Sequence, residues 1–184
     1  KSDLRNILYD EVSKSWVGPF MMAGINTKVV RRSNSLINYS YGKDFRYDEA
    51  TIFGKGFTGK MKGILTSIPI GIIMSARSGS LLKKGIDFLS PKPGEGPSKE
   101  KMKTGFYNLR FYITLEDNSQ AFAKVTGDMD PGYGSTSKML AESAICLAKD
   151  KLPHTSGVLT PSVAMGESLL KRLEMNAGLT FSFK

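Results

Sequence analysis

Cysteine and histidine are almost missing from this chain of 184 residues, which has one of each, Cys146 and His154. A lone cysteine excludes an internal disulfide framework. A lone histidine leaves little material for a His-based metal cage, a Ser-His-Asp triad or a Cys-His centre. Acidic groups are scarce too: 17 Asp and Glu stand against 26 Lys and Arg, a net charge of +9. No apolar run reaches the ~20 residues that a bilayer-spanning helix needs. The charge-free stretch at residues 63–76, between Lys62 and Arg77, stops at fourteen. Apolar residues are plentiful, at 40%, and there are 19 glycines. That suffices for one domain with a real core, or one and a small appendage, and for many tight turns. The chain begins at Lys1 with neither an initiator Met nor a signal-peptide core, so it reads as a fragment or a processed product.

The positive surplus is local. Residues 51–104 hold ten basic and three acidic groups, while the other 130 residues are nearly balanced at sixteen to fourteen. Such a cluster fits an anionic partner or a solvated lysine-rich loop. Aromatic residues are not interleaved with the basic ones, which argues against nucleic acid.

Periodicity sets the expected elements. Residues 20–37 read as a helix entered through Pro19, with Met22, Ile25, Val29 and Leu36 at helical spacing; Gly42 supplies the left-handed stop. Residues 45–53, rich in aromatic and β-branched types, read as a partly solvated strand. The charge-free run at 63–76 reads as a buried or an interfacial helix, weakened by Pro69 and Gly71. Residues 87–104 read as a linker-like loop. Tyr107, Leu109, Phe111, Ile113 and Leu115 alternate with polar residues, then Asp117-Asn118-Ser119 makes a turn. Ala121, Ala123 and Val125 alternate in their turn, so residues 107–126 form an antiparallel hairpin with Phe111 on its buried face. A helix over 135–151 is expected to bury Leu140, Ala144 and Leu147 and to solvate Lys138, Glu142 and Lys149. Cys146 sits on its apolar flank as a structural thiol. Thr160-Pro161 opens another helix, burying Val163, Leu169, Leu170 and Leu173 and stopped by Gly178. Leu179, Phe181 and Phe183 alternate as a last strand. The pattern predicts an α+β fold: a mostly antiparallel sheet of about five strands or more, centred on the hairpin, with helices packed mainly on one face.

Three motifs bear on chemistry. Gly54-Lys55-Gly56-Phe57-Thr58-Gly59 has the dinucleotide spacing. Its preceding strand is expected to carry charges, however, and the next acidic residue is Asp87, too far on to hold a ribose. It reads as a flexible turn, and no NAD(P) is expected to bind this chain alone. The run from Asp128 to Ser137 places two carboxylates, Asp128 and Asp130, and Tyr133 between a strand end and a helix start. Three hydroxyls and outward-facing N–H groups follow, which is chemistry for an anion or a polar substrate group, or simply for a turn and a cap. No third ligand accompanies the two aspartates, so no metal is expected. Arg31 and Arg32 cannot both face one way on a helix; one is expected in solvent and the other on a carboxylate or phosphate, with Asn34 close by. His154 reads as a surface histidine.

These blocks carry a family likeness. Gly18-Pro19-Phe20-Met21-Met22-Ala23, Asn26 to Leu36, Tyr41-Gly42, Phe45-Arg46-Tyr47 and Glu49 resemble the C-terminal half of saccharopine dehydrogenase-like oxidoreductases. That family includes bacterial trans-acting enoyl reductases. The likeness resumes at Pro93-Gly94-Glu95-Gly96-Pro97-Ser98 and at Gly127-Asp128-Met129-Asp130-Pro131-Gly132-Tyr133-Gly134. It ends with Met139 to Ala144 and Gly157-Val158-Leu159-Thr160-Pro161.

The resemblance implies that residues 1–184 are a dehydrogenase C-terminal-domain-like unit for substrate binding and dimerisation. The N-terminal Rossmann domain, which would bind NAD(P), would lie before Lys1. It implies an NAD(P)-dependent reductase acting on an imine-type or enoyl carbon, often on an acyl or lipid-like chain. Its expected partners are that nucleotide-binding domain and a second copy, in the cytoplasm. Arg31, Arg32, Asn34, Asp128, Asp130 and Tyr133 fall on the recurrent blocks and are the substrate-binding candidates. A rival reading is a peripheral lipid-surface module, with residues 63–76 lying in an anionic interface flanked by Lys60, Lys62, Lys83 and Lys84.

Overall fold

The computed structural model of the chain describes residues 4–75, 80, 84–85, 88, 95–153 and 156–184. His154, Lys83, Asp87 and the 91–94 part of the proline-rich block lie outside them. The chain divides into two compact units, Lys1–Glu95 and Gly96–Lys184, and each is taken by itself.

The first unit is built on a three-stranded antiparallel sheet of β1 (Leu8–Asp10), β2 (Ser15–Pro19) and β3 (Ala50–Gly54), in that order. Sequence periodicity misses β1 because three residues are too few to show it. The Trp16-Val17-Gly18-Pro19 run lies in the central strand. Gly18 earns that place because the Phe53 ring lies over it: a Cβ there would come within 2.7 Å of the ring. Pro19 therefore ends a strand and does not open a helix. Helix α1 (Ala23–Leu36) starts four residues later, and Gly42, at φ 94°, stands in the chain reversal that follows it. α1 turns its expected apolar stripe outward: Met22, Ile25 and Val29 are exposed, whereas Ala23, Thr27, Ser33 and Asn34 are buried. The expected strand at 45–53 shortens to β3. Its first half instead stacks Phe45 between Tyr41 and Tyr47.

Helix α2 (Gly56–Ser75) follows β3 directly, with Pro69 inside it. Over residues 56–69 its buried positions are Gly59 and Gly63, four residues apart. Lacking side chains, they let the helix lie almost on the strand. A Cβ on Gly59 would run into the Gly54 carbonyl, and one on Gly63 would come within 2.9 Å of the Phe53 ring.

The second unit opens with a short helix, α3 (Lys99–Thr104), where a loop is expected from its Gly, Pro and charges. Ser98 caps it by accepting from the Lys101 N–H at 3.2 Å. The hairpin then forms as read: β4 (Tyr107–Thr114) and β5 (Gln120–Gly127) pair antiparallel in unbroken register, and β6 (Leu179–Phe183) joins the far side of β5. Tyr107, Phe111 and Ile113 share the inward face of β4 but are only half-buried, and Leu109 is exposed. The pairings are antiparallel throughout, and the α+β composition holds. The strands, however, divide into two three-stranded sheets among the described residues, not one sheet of five or more.

Helices α4 (Gly134–Lys149) and α5 (Pro161–Asn176) pack on each other through Cys146, Met165 and Leu169, with Leu152, Ala164 and Leu173 around them. α4 departs from its expected facing at its leucines, while Cys146 is buried and Lys149 exposed as read. Cys146 is fully buried, while Leu140 is 70% and Leu147 57% exposed. Glu142 is drawn inward because Arg172 of α5 binds it at 3.2 Å and Asp150 at 2.6 Å. On α5, Val163 and Leu169 are buried as expected, and Leu170 is not.

Candidate functional site

The Asp-Pro-Gly-Tyr-Gly loop joins β5 to α4 inside the second unit, and Asp130 organises it. Its carboxylate accepts the N–H of Gly132 at 3.0 Å, Tyr133 at 2.9 Å and Gly134 at 2.8 Å, and its carbonyl accepts the Ser135 N–H at 2.8 Å. Those amide bonds, that of Gly134 foremost, hold the Asp130 carboxyl below the usual carboxylate range. The loop is also backed from α3. The Asp130 N–H donates to the Met102 carbonyl at 3.0 Å, and Gly105 packs so tightly on Asp130 that a Cβ would sit 2.6 Å from its backbone.

Of the two readings of this run, the turn and cap is the one that Asp130 makes. The N–H groups at the start of α4 are not free for an external anion, because the chain supplies its own carboxylate to them. Asp130 is a positioning group, and Tyr133 is what it positions. The Tyr133 side chain is 58% exposed beside Gly96, and its hydroxyl has no hydrogen-bond partner among the described residues. Asp128 is exposed, lies against Gly178 and pairs with Lys138 at 3.5 Å. Lys138 was expected in solvent on the far side of the helix. Its ion pair instead puts a cation and an anion beside the loop.

Sequence reading missed Tyr107. Gly127 stands opposite it in the ladder and leaves room for its ring, which a Cβ at 127 would overlap. The Tyr107 hydroxyl thereby reaches Ser135 Oγ at 2.9 Å, and Ser135 is fully buried. A tyrosine facing a glycine across a hairpin was the available signal. A separate shallow hollow of about 220 Å³ lies over β5 and β6, lined by Ala123, Val125, Phe181 and Phe183.

The other candidates lie in the first unit. Asn34, buried, donates through Nδ2 to the Gly42 carbonyl at 2.9 Å and accepts the Tyr41 N–H at 3.0 Å, clamping the turn after α1. Arg31 is exposed and donates to the Tyr47 carbonyl at 3.3 Å; Arg32 is exposed on the same helix. Glu49 accepts from Asn26 at 2.9 Å and from the Tyr47 hydroxyl at 2.8 Å. Burial, then the Glu49 bond, pushes the Tyr47 hydroxyl well up.

The Gly54–Gly59 run is not the flexible turn read from the sequence: Gly54 ends β3, Gly56 opens α2 and Gly59 is buried inside that helix, with Gly54 and Gly56 at positive φ. The preceding strand, β3, carries no charge, so the charge argument against it falls away. What separates it from a dinucleotide site is topology: β3 pairs antiparallel with β2, and no parallel βαβ unit exists among the described residues. Nor do the described residues include any cluster of three His, Cys, Asp or Glu that could hold a metal ion.

No family profile and no solved structure matches the chain. Curated proteins do. A Mycobacterium tuberculosis protein provisionally named as a trans-acting enoyl reductase is 38% identical over 172 residues. Proteins named trans-acting enoyl reductase in Mycobacterium leprae and Mycobacterium ulcerans are 37% and 36% identical over 171 residues. Each match covers 90% of this chain and 41% of the relative, so the chain spans about two fifths of the length of the relatives it matches. Over nine tenths of its length, then, the chain is similar to proteins named for enoyl reduction.

Proposed function

We propose that this chain is the substrate-binding and dimerisation part of an NAD(P)-dependent, saccharopine dehydrogenase-like reductase that acts on an enoyl carbon of an acyl substrate. The similarity of 36–38% to proteins named trans-acting enoyl reductase carries this reading. Among the described residues the glycine run follows a strand paired antiparallel to its neighbour, which speaks against a dinucleotide site at that run. The reading therefore assigns NAD(P) to the portion of the longer relatives that this chain does not span. Here the chain's part is orientation and water exclusion. Tyr133, held out by the Asp130 cap, offers a ring face to an acyl chain and a hydroxyl to its carbonyl end. The Asp128–Lys138 pair lies beside it.

The test is nucleotide oxidation by the intact protein with enoyl thioesters of graded chain length. NADPH or NADH is consumed only when the thioester is present, and Tyr133→Phe lowers turnover while leaving the melting temperature unchanged. Absence of oxidation across the series with both nucleotides refutes the reductase reading. Unchanged kinetics in Tyr133→Phe refute the placement of substrate at this loop.

A further inference from the structure

Helix α2 lies on the first sheet by its glycines, which leaves its larger side chains facing away. Phe57, Met61, Ile64, Leu65 and Ile68 follow the spacing of one helical face. All five are exposed, Phe57 at 76%, Leu65 at 63% and Ile68 at 53%. In the sequence the helix goes on as Pro69-Ile70-Gly71-Ile72-Ile73-Met74, without a charge. A contiguous apolar stripe of this kind calls for a cover.

The charge around it says which cover. No acidic residue occurs between Glu49 and Asp87, while Lys55, Lys60 and Lys62 stand at the start of the helix. Lys60 and Lys62 fall on opposite flanks of the stripe at helical spacing. Lys60 is held with its ammonium 5.2 Å over the Trp16 ring. Lys55 and Lys62 are exposed and have no carboxylate partner among the described residues. A protein partner covering this stripe would need its own carboxylates in register with the lysines. An anionic phospholipid surface supplies apolar depth and negative headgroups together, at any register.

We infer that α2 is a membrane-surface helix: it lies in the plane of an anionic phospholipid interface, with the Phe57–Ile68 stripe among the acyl chains and Lys55 and Lys62 at the headgroups. The glycine side stays on the sheet, so binding needs no unfolding of the first unit. This inference is independent of the reductase reading and holds or fails without it.

The experiment is co-flotation of the intact protein with vesicles of phosphatidylcholine, alone or with phosphatidylserine. Binding is expected on the phosphatidylserine vesicles and is expected to weaken with added salt. Lys55→Ala with Lys62→Ala lowers the partition coefficient about thirtyfold, at about 1 kcal/mol for each basic residue near the surface. Ile64→Ser, Leu65→Ser and Ile68→Ser together lower it about a hundredfold or more, with circular dichroism and melting temperature as the check on folding. If that triple variant does not fold, the double lysine variant decides alone. Flotation on neither vesicle, or flotation indifferent to the lysines, overturns the inference. So does a triple variant that keeps its flotation but loses self-association in sedimentation velocity, since the stripe then joins copies of the chain.

Discussion

Arg172 grips Asp150 with two nitrogens, Nε to Oδ2 at 2.6 Å and Nη2 to Oδ1 at 2.7 Å. This planar fork ties α5 to the end of α4, and it holds the Asp150 carboxyl at about 2 against a usual 3.8. The folded-state value is the lower one. The pair's stabilisation is therefore complete above pH 3.8 and fades as pH falls towards 2. Both side chains keep about a quarter of their surface, so solvent screens part of the effect. Arg172→Ala is expected to lower the melting temperature at neutral pH, and the gap to the parent is expected to narrow through that acid window. A gap that stays constant on acidification would assign the loss to packing instead.

Gly59→Ala sets helix propensity against packing. In an open helix alanine is better than glycine by about 1 kcal/mol. Here the added methyl meets the Gly54 carbonyl, which is backbone and cannot swing away. The expected result is a net loss of about 1–3 kcal/mol in denaturant unfolding. Gly63→Ala meets only the Phe53 and Ile7 side chains, at 2.9 and 3.2 Å, and should cost less. A stabilised Gly59→Ala would mean that α2 and β3 do not touch there.

The Tyr107–Ser135 hydrogen bond is open to a double-mutant cycle. Tyr107→Phe leaves the fully buried Ser135 hydroxyl without its tyrosine partner and is expected to cost about 1–3 kcal/mol. Ser135→Ala removes the other half of the bond. The double variant should cost less than the two single losses added together. Strict additivity would show that the two hydroxyls do not bond in solution.

The sequence displayed the hairpin, both long C-terminal helices and the final strand, because each runs several periods and is bounded by turn residues. It hid β1 and β2, where three to five residues and a Gly-Pro pair leave no period to read. It also misled on which side of a helix is inside. Met22, Ile25 and Val29 on α1 and Leu140 and Leu147 on α4 form proper apolar stripes, yet they face out. Hydropathy alone assumes that the apolar side is buried within the same chain. In α4 the Arg172 bonds to Glu142 and Asp150 draw Glu142 inward, and a pair 22 or 30 residues apart leaves no local trace. The candidate loop was legible as strand, turn and helix start. The turn and cap was legible as one of two readings, and the residue types could not choose between them, since a cap and an anion site use the same ones.

The outward leucines of α4 allow a simple measurement. Leu140→Ser is expected to change stability by no more than about 0.5 kcal/mol, as for an ordinary surface position. Cys146, in contrast, should resist alkylation in the native protein. It is fully buried, and burial, then Asp150, pushes its thiol up. A stability loss of several kcal/mol in Leu140→Ser would restore the facing read from hydropathy, and rapid labelling of Cys146 without denaturant would contradict its burial.

The last prediction separates what Asp130 does from what Tyr133 does. Asp130 holds three loop amides on one carboxylate, so Asp130→Ala frees the N–H groups of Gly132, Tyr133 and Gly134 at once. Their hydrogen exchange should accelerate strongly, while amides in β4 and β5 keep their protection. Asp130→Asn retains a side-chain oxygen but loses the charge and the second acceptor, and it should fall between. Acid should loosen the parent loop in the same way. The Asp130 carboxyl titrates below its ordinary value, so its contribution is present above the usual carboxylate range and is lost as pH falls through the depressed one. Tyr133→Phe should leave exchange, acid response and melting temperature alone, because its hydroxyl touches nothing described. In the intact protein both substitutions are expected to lower turnover with an enoyl thioester. Only Asp130→Ala should do so together with loop exchange, and Asp130→Asn should recover part of both. If Asp130→Ala opens the loop and turnover stays at the parent level, the ordered loop has no part in handling substrate.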